Sequence, residues 1–149
     1  MILFEQAMNG IDSWLFTKPE IVSREVVRDQ LMCKLVPESI KMRYPAYKAP
    51  RYKDLLRFLS RNKVDLIRYN KEWENCNDYP LYLMADARRY WLKGCAIGLC
   101  AREEHYKPET RHLKNVVYTS DNGIVMPEPQ QDLVSQPDLE KYNYYWIYF

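Results

Sequence analysis

The 149-residue chain is 47% hydrophobic, 14% aromatic and 28% charged, with a formal net charge of +2. That balance supports a single packed core and excludes a disordered polymer, which is poor in rings and rich in unbalanced charge. A membrane-spanning helix is excluded too, because the uncharged apolar runs at 94–101 and 142–149 fall far short of the ~20 residues that cross a bilayer.

One globular domain covering residues 1–149 is expected. The opening MILFEQAMNG has no basic segment leading into a long apolar run, so no secretory leader is read there and a cytoplasmic protein is expected. In that compartment Cys33, Cys76, Cys95 and Cys100 are expected as free thiols, with Cys33, Cys95 and Cys100 serving as small core residues.

Residues 17–35 open on Thr17 with Glu20 three positions later, the spacing of a capping box. Ile21, Val22, Val26, Val27, Leu31 and Leu35 then recur at helical intervals until Pro37, so the spacing predicts a first helix here. Prolines 37, 45 and 50 deny regular structure to the next stretch, which reads as a loop. Pro50 is well placed to start a second helix running to about Asn62. The branched residues of 63–70 favour a strand. Behind Asn77 or Asp78 helical patterning resumes toward Glu104, with Gly94 and Gly98 as weak points. A hairpin is predicted near 114–126, because Asp121, Asn122 and Gly123 accept the positive φ of a tight turn. Prolines 127, 129 and 137 mark an extended connection, and the ring-rich 142–149 predicts a C-terminal strand. A bare strand of that composition is an aggregation hazard, so it is expected to pair within the sheet or with another subunit. The fold class is therefore α+β: three helical regions and a short, mainly antiparallel sheet.

Charge is strongly segregated. Residues 41–71 hold ten basic side chains against two acidic ones, so the remainder of the chain carries −6. On a wheel of 51–62, Tyr52, Leu55, Leu56 and Leu59 share one side, Lys53, Arg57 and Arg61 line the opposite side, and Phe58 falls on the flank. Cations interleaved with flat rings suit phosphate contact and base stacking. On this basis a non-enzymatic nucleic-acid-binding protein is expected. Arg43, Lys48, Arg51, Lys53, Arg57, Arg61 and Arg68 would meet phosphates, and Tyr44, Tyr47 and Tyr52 would stack on bases. No zinc finger, helix-turn-helix or RNA-binding sheet signature accompanies the segment. The alternative is an adaptor or inhibitor that docks on an acidic or sheet-edge surface of another protein, since arginine and tyrosine also dominate protein interfaces.

Other chemistry is weaker in the sequence. Cys95, Cys100, His105 and His112 are ligand types, but the cysteines lie in an apolar run, so no metal is expected. Four glycines form no phosphate loop or dinucleotide fingerprint, so no cofactor is expected either. A small enzyme with a site near His105 and His112 is a third reading. Cys33 and Cys76 have no histidine nearby in sequence, which decides nothing, because such partners meet only in the fold.

Overall fold

The computed structural model describes residues 16–70, 72 and 75–149. The opening residues read as leaderless, and Lys71 of the basic segment, lie outside that set.

A strand β1 (Glu20–Ser23) leads into helix α1 (Arg24–Leu35). Ser23, with extended backbone, caps the helix by accepting from the Val26 N–H at 3.3 Å. The predicted first helix is therefore corrected at its start: Thr17 is not its cap, and residues 20–23 pair with β3 (Ala46–Ala49) as a two-stranded antiparallel ribbon. The helix ends at Val36 in the left-handed region (φ 45°), where its N–H donates to Met32 O. The stretch read as a loop between prolines 37 and 50 holds β3 and the short β2 (Ser39–Lys41). Helix α2 (Tyr52–Arg61) matches its expectation, whereas 63–70 forms only a 3-10 turn at Val64–Leu66.

Helix α3 (Asp78–Asp86) passes into a π-turn (Ala87–Trp91) and stops there. Gly94, at φ 81°, turns the chain, and GCAIGLCA enters β4 (Ile97–Glu104), a strand buried along nearly its whole length. Burial on both faces gives a continuous apolar run, and periodicity alone does not separate such a strand from a buried helix. Then follow β5 (Lys107–Thr119), β6 (Gly123–Glu128), β7 (Leu133–Ser135) and β8 (Tyr142–Tyr148).

The main sheet has six strands in the order β2-β8-β4-β5-β6-β7, antiparallel except for the β2–β8 pair. The α+β class and three helices among the described residues agree with expectation, but the sheet is larger than predicted. The C-terminal strand lies inside it, between β2 and β4, so the expected oligomer contact through that strand is not open along Trp146–Tyr148.

Successive residues of a strand face opposite sides, and β5 divides the core accordingly. Val116 joins Val27, Leu31 and Leu35 of α1 on one face, and Val117 joins Leu55, Phe58, Leu59 and Leu83 of α2 and α3 on the other. Phe58, expected on the flank, is fully buried and stacks on Trp91 at 4.5 Å, while Leu56 is exposed. Cys95 and Cys100 are buried, but Cys33 is exposed and not a core residue.

Candidate functional site

The basic segment is spread over several elements. Arg43 lies in the β2–β3 connection, Lys48 in β3, Arg51, Lys53, Arg57 and Arg61 at or on α2, and Arg68 beyond the 3-10 turn. Arg57 pairs with the buried Asp54 at 3.3 Å, Arg43 stands over the Tyr44 ring at 5.5 Å, and Arg61 stands over Phe16 at 6.0 Å. Tyr47 is buried in the core, packed edge-on against Phe149, and its hydroxyl donates to Phe149 O. Tyr44 and Tyr52 are half-buried against the two core clusters. These rings are occupied by packing.

A different constellation forms where β6 leaves β5. The register Val117↔Val125, Tyr118↔Ile124, Thr119↔Gly123 continues to set Lys114 opposite Glu128, and those side chains form an ion pair. After Glu128 the chain turns away into β7, so among the described residues β5 has no strand beside it from Leu113 backward on that edge. The Leu113 N–H that would have met a strand donates instead to Asn77 Oδ1 at 3.2 Å. Asn77 belongs to the turn that opens α3. Its N–H donates to Asn75 Oδ1, the Asn75 N–H donates to Asp78 Oδ2, and the Asp78 N–H donates to Asn75 O. A second tie lies two residues along the strand, where the buried Asn115 donates to Pro80 O at 2.8 Å.

Cys76, exposed, immediately precedes Asn77, and His112 immediately precedes Leu113. The bond between Asn77 and Leu113 thus places the residues Cys76 and His112 along the same edge of the sheet. His112 shares its face with Lys114, two residues on, and its register partner on β4 is Arg102.

The electrostatics suit a neutral imidazole. Partial burial is the main cause holding the His112 value below 6.5, with Lys114 and Arg102 adding to the effect, while the bond to Thr110 and the charge of Glu104 oppose it. His112 Nδ1 lies 2.6 Å from Thr110 O. A carbonyl oxygen only accepts, so Nδ1 carries the proton and Nε2 of the neutral ring keeps its lone pair. Burial and the adjacent Arg102 push the Lys114 ammonium down to about 8, with Cys100 opposing.

Sequence reading missed this site because its parts are 36 positions apart and meet only through folding. The local signal was Asn75-Cys76-Asn77-Asp78, three capping-type residues framing a cysteine at a helix start. Of the other histidine, His105 sits at the β4–β5 turn with Nε2 2.9 Å from Leu139 O. Cys95 and Cys100 are both enclosed, and burial raises each thiol to about 12.

No known protein family matches this sequence, and no curated protein is similar to it by sequence. Solved structures are similar in fold. PSL1a in a complex with E64 superposes with a TM-score of 0.72 at 15% identity, over 87% of this chain and 50% of that one. Polyporus squamosus lectin, bound to the human-type influenza-binding epitope Neu5Aca2-6Galb1-4GlcNAc, superposes with a TM-score of 0.73 at 15% identity, over 87% of this chain and 49% of that one. The chain shares their fold. It spans about half their length.

The nucleic-acid expectation is overturned by these findings. Chains that share the fold include a lectin solved with a glycan and an E64 complex, and the tyrosines assigned to base stacking pack against the core.

Proposed function

We propose that the rim of β5 is a thiol-nucleophile site for acyl transfer or hydrolysis, with Cys76 as nucleophile and His112 as base. The observation that carries this reading is the Asn77–Leu113 bond, which ties the residue after Cys76 to the residue after His112 at an open strand edge. In the reaction, His112 Nε2 takes the Cys76 proton and the sulfur bonds to a substrate carbonyl carbon, whose π electrons move to oxygen. When the oxyanion collapses, the bond to the leaving group breaks and the imidazolium returns the proton to it. Water then repeats the sequence on the thioester, releasing the acid and the free thiol. The positive end of the α3 dipole, at the turn carrying Cys76, favours negative charge in that first turn. The fold neighbour solved with E64 supports the reading, because the epoxide of E64 alkylates thiolates: sulfur bonds to an epoxide carbon, and the released oxygen takes a proton.

The test is competitive alkylation by E64 followed by peptide mapping. Cys33 is the internal control, since it is exposed and the residues lining the cup around it include no imidazole. Cys76 is expected to label about tenfold faster than Cys33, with the advantage lost in His112→Ala. Equal labelling of the two thiols would overturn the site.

A second reading follows from the glycan-bound neighbour. A cavity of about 250 Å³ lies between Phe16–Pro19 and the α2/π-turn region, lined by Phe16, Tyr90 and Trp91 with the Asp54 carboxylate. Aromatic rings lining a cavity suit a sugar's apolar face, while both Asp54 oxygens are already engaged by the Thr17 N–H and Arg57. Titration with Neu5Aca2-6Galb1-4GlcNAc, followed by NMR on wild type and Trp91→Ala, tests it. Shifts confined to these residues support glycan binding, and an unchanged spectrum rejects it.

A further inference from the structure

We infer that Asn77 is a positioning residue for the thiol site: its side-chain amide fixes the turn bearing Cys76 to the strand bearing His112. The inference rests on the thiol-nucleophile reading above. Helix α3 and strand β5 are joined by two side-chain amides, one from each partner. Asn115 of β5 reaches Pro80 O inside the helix, and Asn77 before the helix reaches Leu113 N–H on the strand. The two ties serve different ends. Asn115, together with the buried Tyr79 and Leu83, holds the helix on the sheet face. Asn77 holds the turn beyond it, where the thiol is.

That turn is closed on itself. The bonds among Asn75, Asn77 and Asp78 leave few internal degrees of freedom, so one external bond suffices to fix its place. Without the Asn77 oxygen the Leu113 N–H returns to solvent at an open edge, a modest loss for the fold. The thiol-to-imidazole distance, however, is then set only by α3 several residues away. Small misplacements of this kind act on the reaction far more than on stability.

The experiment measures E64 alkylation rates at Cys76 and Cys33 across the pH range in the full chain, for wild type, Asn77→Ala, Asn77→Asp and His112→Ala. Thermal unfolding is recorded for each variant. Asn77→Ala is expected to slow Cys76 labelling about fivefold at mildly acidic pH and to leave the alkaline rate nearly unchanged. Asn77→Asp, which keeps an oxygen to accept from Leu113 N–H, is expected to restore most of the acidic-side rate. An Asn77→Ala profile that overlays wild type, while His112→Ala loses the acidic limb, overturns the Asn77 role and leaves the thiol site standing. Wild-type Cys76 labelling no faster than Cys33 overturns both. A uniform slowing over the whole pH range with a matching fall in unfolding temperature assigns Asn77 a structural role only, and also overturns the inference.

Discussion

Lys114 on β5 and Glu128 on β6 face one another across the strand pair and join their charged ends, with the lysine side chain only 6% exposed. Glu128→Gln strands that ammonium without a carboxylate, a loss of about 3 kcal/mol by urea unfolding at neutral pH. The loss is expected to shrink under alkaline conditions. Lys114 is lowered to about 8 from 10.5, so the unfolded chain holds more protons between those values and stability rises with pH through that window. The paired swap Lys114→Met with Glu128→Leu removes both charges and is expected to unfold within about 1 kcal/mol of wild type.

His112 sets a second pH dependence, of the same sign and at lower pH. Its folded value lies below 6.5, chiefly through burial, so as pH falls through 6.5 the unfolded imidazole takes a proton before the folded one does. Stability therefore declines on acidification through and below that value. Denaturant midpoints measured across this range are expected to fall less steeply in His112→Asn than in wild type. Identical slopes would show that His112 is no more hindered from protonation in the fold than in the unfolded chain.

Gly98 is a packing requirement, not a turn. A methyl group there would stand 2.5 Å from both the Phe149 ring and the Tyr148 carbonyl oxygen, and 3.1 Å from Phe149 Cα. Two of those three atoms are backbone, so relief requires β8 to shift against β4. Gly98→Ala is expected to cost about 3 kcal/mol in thermal or urea unfolding, at the upper end of overpacking losses.

Tyr47→Phe isolates one hydroxyl. That oxygen donates to Phe149 O and accepts from Tyr44 N–H, each at 3.1 Å. Phe149 O retains the Arg43 N–H at 2.9 Å, so the uncompensated group in the variant is the Tyr44 amide. A loss of about 1–2 kcal/mol is expected, with faster hydrogen exchange at Tyr44.

Local chemistry was legible where one element decided its own form. The Asp121-Asn122-Gly123 turn, the extent of α2 and the ring-rich β8 stand where their residues placed them, although on α2 Phe58 rather than Leu56 joins the core. Tertiary context decided the rest. GCAIGLCA is a strand because Gly98 lets β8 approach closely, a contact that no periodicity encodes. Ile21 and Val22 fit a helical stripe, yet they pair with Lys48 and Tyr47, and Ser23 outcompetes Thr17 as the cap. The basic segment drew attention by its density of charge, but charge counts carry no geometry. The thiol and imidazole at the β5 rim needed only one side-chain bond, which spans 36 positions.

β8, the latest strand in chain order, lies between β2 and β4, and nearly all of its pairing partners are synthesised long before it. Until it arrives, β2 has no strand to join and the outer flank of β4 is an unfilled slot offering free amides and carbonyls. Such non-local closure is slow and leaves a sticky interval during synthesis. A nascent chain stalled ahead of Tyr142 would present that slot to any extended segment nearby, which makes the timing of residues 142–149 a matter of solubility as well as of architecture.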